Sequence, residues 1–367
     1  MIRLLADQHI YKLNEIIPPD VSLTLYDPIQ GLPEALGTFD ALFTRTVTQI
    51  NETTLPTIPE SLKFVGTASS GDDHFDLNYL SDHGIHTANA KGCNANTVAE
   101  YVITALLIWA RERENFGKIG IVGGGFTGTA VASLLKRLDI DYTIYDPPRQ
   151  IRDSSFTSAP LDDLLECDIL TFHVPLIYDG LYPTHHWLNS TKLKNHSFKL
   201  IINAARGGII NEEALLEAKK EERVQDFILD VWENEPDLNT RVANEAYLAT
   251  PHIAGYSEQA KLNATFVLVE KLLQYFSLKS LPAEFAPNTI PYSELNDTSL
   301  SLLLEEIHPI RSYDKQLRSI LSEDLSKATF AALRTNVAYR YEYPNIRISS
   351  KLLDRHPTLS TLGIRSL

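Results

Sequence analysis

Among its 367 residues the chain carries only two cysteines, Cys93 and Cys167, far apart and without metal-ligand spacing. That arithmetic excludes a disulfide framework and a cysteine zinc site. Positive charge is also scarce: 33 Lys and Arg stand against 47 Asp and Glu, a formal net charge of −14, and no stretch gathers the cations into a stripe. Nucleic acid and anionic membrane are therefore excluded as partners, while an anionic small substrate requires a local Arg or Lys cluster. Long hydrophobic runs are missing too. The longest apolar stretch, Tyr101 to Ala110, is about half of the ~20 residues a bilayer span requires. Met1 to Asp7 lacks the basic region and cleavage site of a signal peptide, so a soluble, cytoplasmic protein is expected.

What is present is a chain with 44% hydrophobic residues, long enough for two or three domains at roughly 150 residues each. Short β-rich runs at Ile2 to Ala6, Ser22 to Tyr26, Ala41 to Thr44 and Phe64 to Ala68 alternate with helical patterns, as in a parallel sheet covered by helices. Between Asn96 and Glu112, Val98, Tyr101, Val102, Ala105, Leu106 and Trp109 recur at three- and four-residue steps, which predicts a buried spine helix. A second series of strands is expected at Lys118 to Gly123, Tyr142 to Asp146, Asp168 to His173, Leu200 to Ala204, Phe227 to Val231 and Tyr247 to Thr250. Helices are expected over Thr129 to Leu138, Asn211 to Arg223 and Ser257 to Leu278. Leu281 to Asp297, rich in Pro, Asn and Ser, reads as a linker. Beyond it a helix at Leu300 to Ile307 and a strand at Val337 to Tyr343 suggest a small α+β appendage.

Gly123, Gly125 and Gly128 form G-x-G-x-x-G between an expected strand and an expected helix. In that setting the glycines make a tight turn and let backbone N–H groups approach a pyrophosphate. Asp146 ends the next strand, where a carboxylate accepts hydrogen bonds from a ribose and repels a 2′-phosphate, favouring NAD over NADP. Arg206, Glu235 and His252 each follow an expected strand, at the edge where a doubly wound sheet binds its ligands. Arg206 has small neighbours and can grip a carboxylate. A His252–Glu235 pair can take a hydroxyl proton while hydride leaves the same carbon, the Glu raising the His pKa. Glu233 reads as a solvated neighbour of Glu235. His173 is expected to pack beside the cofactor. His185 and His186 suggest no metal, because adjacent histidines do not readily face one ion and no acid accompanies them at ligand spacing.

The glycine motif, Asn203-Ala-Ala-Arg-Gly, Leu229-Asp-Val-Trp and Thr250-Pro-His-Ile-Ala-Gly-Tyr together resemble the D-isomer-specific 2-hydroxyacid dehydrogenases. The resemblance implies an α/β fold of two Rossmann-like, doubly wound parallel-sheet lobes plus a small C-terminal α+β dimerisation domain. Residues 1–91 with 256–280 would form the substrate lobe, 92–255 the NAD-binding lobe and 281–367 the dimerisation domain of a homodimer. A crevice between the lobes would hold the substrate. Arg206 and Glu235 would assist catalysis and His252 act as general acid/base; Asp146, Asp230 and Gly255 would contact NAD.

Thr46, Ser69 and Tyr256 fall where the family contacts substrate, with Thr46 and Ser69 each keeping a hydroxyl. Val174 stands where a Thr is expected, leaving only a backbone contact to the cofactor, and Phe126-Thr127 departs from the usual pair inside the glycine motif. The closest resemblance within the family implies a phosphorylated substrate, 4-phospho-D-erythronate, oxidised on the way to pyridoxal 5′-phosphate. Its phosphate would meet Arg45, with Arg311, Arg334 or Arg340 from a partner subunit. Another D-2-hydroxy acid, such as 3-phosphoglycerate, is the rival substrate, and a non-catalytic NAD-sensing protein the rival class.

Overall fold

A computed structural model describes all residues except 34, 35, 112, 114–116, 283–289, 292–297, 324–326 and 339. Two units emerge: Met1–Asn94 with Ser257–Asn288, and Ala95–Tyr256 with Thr289–Leu367. The described residues of the C-terminal segment, from Ile290 on, group with the second unit.

The first unit is a five-stranded parallel sheet of β1 (Ile2–Asp7), β2 (Val21–Tyr26), β3 (Ala41–Thr44), β4 (Phe64–Thr67) and β5 (His86–Asn89). Its order, β2-β1-β3-β4-β5, reverses between β1 and β3. Strand β5 was not expected: His86-Thr-Ala-Asn has neither alternation nor an apolar run, and it is held at the sheet edge by pairing with β4. One face is covered by the helix Glu258–Tyr275, which Ser257 caps by accepting the Ala260 N–H at 2.9 Å. Leu262, Leu268, Val269, Leu272 and Leu273 of that helix pack with Leu4, Phe43 and Phe64.

The second unit holds the expected full set of six parallel strands: β6 (Ile119–Val122), β7 (Tyr142–Tyr145), β8 (Ile169–Phe172), β9 (Phe198–Asn203), β10 (Val224–Leu229) and β11 (Leu248–Ala249). The order β11-β10-β9-β8-β6-β7 turns back between β6 and β8. At such a switch point the loops leaving the two strands diverge and open a crevice. The spine helix runs over Ala95–Ala110, and all six residues that defined its periodicity are buried; Glu112, its expected end, lies outside the described residues.

Most of the expected linker, residues 283–289 and 292–297, also lies outside the described residues. Between these stretches β12 (Ile290–Pro291) joins β13 (Ile346–Ile348) and β14 (Arg365–Ser366) in a small parallel sheet. Among the described residues of Val337 to Tyr343 the expected strand is not formed. Its polar groups are drawn to the spine helix instead: Arg340 Nη1 donates to Glu100 Oε2 at 2.5 Å, and the Tyr343 N–H donates to Glu100 Oε1 at 2.8 Å. Thr97 donates to Glu342 at 2.5 Å, and the Tyr343 hydroxyl bonds Thr104. Leu303, Leu304 and Ile307 of the helix Leu300–Ile307 share the core of the spine helix. These contacts explain why the last segment belongs to the second unit.

Glu100 and Arg340 are 3% and 5% exposed, so each charge depends on the other. Burial pushes the Glu100 carboxyl up to about 7 against the pull of the Arg340 guanidinium. Removing one partner of a buried ion pair typically costs about 3–5 kcal/mol. That loss is expected for Arg340→Ala in urea denaturation; a loss under about 1 kcal/mol would refute the dependence.

His308 is 1% exposed, with its Nδ1 unpartnered, and burial, helped by Arg340, holds it well below the ordinary histidine value. Below about pH 6.5 the unfolded chain takes up a proton at this residue that the fold refuses. Stability therefore falls as the pH drops, by about 1.4 kcal/mol per unit from this one group. His308→Asn should flatten the acid limb of stability against pH by that slope.

Candidate active site

The chain leaves β6 through Gly123, whose φ of +98° points any Cβ to within 2.6 Å of the His173 carbonyl oxygen. Gly128, in the first turn of the helix Phe126–Arg137, approaches the Gly123 carbonyl so closely that a Cβ would lie 1.9 Å from its oxygen. The helix consequently starts inside the motif, three residues earlier than Thr129. Gly125 is its N-cap and faces open space. A side chain there would fill the cradle that helix-terminal N–H groups offer to a pyrophosphate, so the loop fits a dinucleotide.

Asp146, expected to meet the ribose, braces this loop. Its Oδ2 accepts the Gly124 N–H at 2.8 Å and its Oδ1 the Arg149 N–H at 2.9 Å, capping the helix Pro147–Arg152. Arg149 in turn donates to the Gly124 carbonyl at 2.6 Å. Across the switch point, His173 follows β8 and its Nε2 pairs with Thr171 at 3.0 Å. Val174 presses its side chain against Gly123.

The three catalytic candidates follow β9, β10 and β11. Asn203 closes the first loop on itself: its amide donates to the Arg206 carbonyl at 2.9 Å and its Oδ1 accepts the Ala205 N–H at 3.1 Å. Arg206 Nη1 reaches the Ala205 carbonyl at 2.8 Å. Gly207 then passes so near the next loop that a Cβ would sit 1.8 Å from the Trp232 carbonyl oxygen. This contact ties the Arg206 loop to the Glu235 loop.

Glu235 is fixed at both oxygens. Its Oε1 accepts the Trp232 N–H at 2.8 Å and its Oε2 pairs with His252 Nδ1 at 2.7 Å. Burial pushes its carboxyl up, but His252, the Trp232 N–H and the Arg334 charge outweigh it and hold the group below its usual value. With Nδ1 engaged, the histidine has Nε2 to exchange a proton with a ligand.

His252 itself sits at φ +58°, a left-handed conformation uncommon for a side-chain-bearing residue. Asp230 accounts for it. This carboxylate, 1% exposed, accepts N–H bonds from Ile253 and Ala254 at 2.8 Å each and the Thr250 hydroxyl at 2.6 Å. Expected at the cofactor, Asp230 thus folds the loop that carries His252. Gly255 and Tyr256 close that loop, with the Tyr256 N–H donating to the Ile253 carbonyl at 2.8 Å.

The remaining candidates belong to the first unit. Arg45, just past β3, pairs its Nε with Asp7 Oδ2 at 2.8 Å, at the point where that sheet reverses. Thr46 is exposed in the turn that follows. Ser69, after β4, bonds the Thr67 hydroxyl at 2.9 Å and donates to the Gly71 carbonyl at 2.5 Å.

Two expectations need correction. Glu233 is no mere solvated neighbour: its Oε1 lies 2.8 Å from His186 Nε2, and its N–H donates to Glu212 at 2.7 Å. Nor are the adjacent histidines kept apart. His186 adopts φ +47°, which lets the two imidazoles stack with centroids 3.9 Å apart, and one donor atom each from His185, His186 and Glu233 falls within 4.8 Å of the others. Asn211 contacts the other His186 nitrogen at 3.3 Å, so both ring nitrogens face protein groups. Sequence spacing could not reveal this, because the convergence depends on a backbone conformation that histidine rarely adopts.

The family model for the NAD-binding domain of D-isomer specific 2-hydroxyacid dehydrogenases matches residues 110–254. Solved structures share the fold. A D-lactate dehydrogenase from Treponema pallidum superposes with a TM-score of 0.60 at 22% identity, covering 76% of this chain and 98% of its own. The Aquifex aeolicus D-lactate dehydrogenase complexed with NAD and lactic acid gives 0.58 at 23%, covering 75% and 95%. The fold is therefore that of the D-isomer specific 2-hydroxyacid dehydrogenases.

An erythronate-4-phosphate dehydrogenase from Legionella pneumophila is 37% identical over 362 residues, 98% of this chain and all of its own. One from Psychromonas ingrahamii is 33% identical over 373 residues, 99% and 96%. The chain belongs to the erythronate-4-phosphate dehydrogenase family.

Replacing Asp230 with Ala strands the two buried amides of Ile253 and Ala254 beside His252. At about 1–3 kcal/mol for each unsatisfied group, a loss of about 2–6 kcal/mol is expected in denaturant unfolding, with turnover lost alongside it. Unchanged stability would show that the loop holds its shape without the carboxylate.

Proposed function

We propose that this protein oxidises 4-phospho-D-erythronate at C2 to 2-oxo-3-hydroxy-4-phosphobutanoate, with NAD, on the route to pyridoxal 5′-phosphate. The observation that carries the reading is the 2.7 Å bond from His252 Nδ1 to Glu235, which aims the other imidazole nitrogen away from its anchor. His252 takes the C2 hydroxyl proton as the carbon becomes a carbonyl. Glu235, held anionic, stabilises the imidazolium that results. Arg206 grips the substrate carboxylate and fixes C2, its loop tied to the Glu235 loop through Gly207.

The Gly123 loop would hold NAD, which would supply the acceptor for the hydride leaving C2. Gly123, Gly125 and Gly128 admit the pyrophosphate; Asp146, Val174, Asp230 and Gly255 are proposed to line the cofactor side. Thr46, Ser69 and Tyr256 are proposed substrate contacts, on the strength of the sequence resemblance. The same resemblance supports a homodimer formed through the C-terminal segment, which analytical ultracentrifugation tests directly.

Mixing the protein with NAD and 4-phospho-D-erythronate should raise the NADH absorbance. His252→Ala should lower kcat by about 10²–10⁴ while NAD binding persists. Equal or greater turnover of 3-phosphoglycerate would discard the substrate and keep the mechanism. Silence of the wild type on every D-2-hydroxy acid tried would favour an NAD-sensing protein.

A further inference from the structure

A four-carbon acid phosphorylated at C4 is anionic at both ends, and one arginine cannot hold both. Of the four arginines that the sequence offers for the phosphate, three are committed to carboxylates. Arg45 pairs with Asp7 at 2.8 Å, Arg311 with Glu305 at 3.3 Å, and Arg340 with Glu100 at 2.5 Å. Arg334 differs. It lies on the helix Lys327–Asn336, part-buried, with its Nε buried and unpartnered, and among the described residues no carboxylate forms an ion pair with it.

Its position is specific. The guanidinium carbon stands 6.0 Å from the centre of the Tyr256 ring, four residues beyond His252, and its charge acts on Glu235. Glu235 is engaged elsewhere: its oxygens bond Trp232 and His252, and it forms no ion pair with Arg334. A buried Nε–H without an acceptor is costly unless a ligand completes it. A phosphate suits it, since its oxygens accept two parallel N–H bonds from the planar fork.

We propose that Arg334, supplied by the C-terminal segment of the same chain that carries His252, binds the phosphate of the substrate while Arg206 holds the carboxylate. The inference rests on the phosphorylated substrate proposed above. It assigns the C-terminal segment a part in substrate selection: a hydroxy acid without the second anionic group leaves Arg334 unpaired.

The test compares wild type, Arg334→Ala and Arg334→Lys, with thermal melts to establish that each is folded. Arg334→Ala should raise KM for 4-phospho-D-erythronate by about tenfold to a hundredfold, far more than it lowers kcat, and Lys should recover part of the loss. Inorganic phosphate should compete with the substrate in the wild type and lose its hold in Arg334→Ala. An unchanged KM would overturn the proposal. So would a fall in kcat with a displaced pH profile and no change in KM, which would make Arg334 a positioning residue acting through Glu235. Should the wild type turn over only unphosphorylated acids, the substrate reading fails, and calorimetric titration of inorganic phosphate into the NAD-loaded protein decides the Arg334 site separately. Tight binding in wild type and weak binding in Arg334→Ala uphold it; equal binding, or none in the wild type, overturns it.

Discussion

His252, the residue proposed to transfer the proton, stands on a loop shaped by one buried carboxylate. Asp230 draws the amides of Ile253 and Ala254 inward and takes the Thr250 hydroxyl, and this imposes the left-handed turn at His252. From that turn the imidazole meets Glu235, which is itself pinned by the Trp232 amide. The uncommon backbone at His252 is maintained because the surrounding hydrogen bonds over-determine it. These bonds place the imidazole in one position, and a proton acceptor so held would lose less entropy at the moment of reaction.

The two sheets show the same topology put to different uses. In the second unit the switch point between β6 and β8 is lined by glycine and by the end of a strand, and leaves a cradle. In the first, the corresponding reversal between β1 and β3 is bridged by the Arg45–Asp7 pair. An arginine that closes its own sheet has little freedom to serve as the principal phosphate ligand. Arg334, which no carboxylate pairs with among the described residues, fits that role better.

Much of this was legible in the sequence. Periodicity located the spine helix and its buried face, and the glycine spacing located the cradle, because those patterns are set by local geometry. The His252–Glu235 pair could be inferred because both residues follow strands whose ends converge. Other features depended on contacts between distant segments. Val337 to Tyr343 alternates like a strand, yet its backbone and side chains answer a glutamate more than two hundred residues away. Glu233 looked superfluous beside Glu235, and its partnership with His186 follows from a backbone turn that no spacing rule anticipates. Arg334 was one of four arginines the sequence offered for the phosphate, and what singles it out is which of the others are already engaged.

The Glu100–Arg340 pair also bears on how the chain can be dissected. A dinucleotide-binding lobe is often treated as a module to be expressed, swapped or fused by itself. Here the helix at its centre carries an acid whose counter-charge comes from near the end of the polypeptide. Cutting the chain after the last strand of the six-stranded sheet would leave a glutamate facing an apolar surface newly stripped of Leu303, Leu304 and Ile307. In this protein the nucleotide-binding module and the C-terminal segment must therefore be inherited, and engineered, as a single piece.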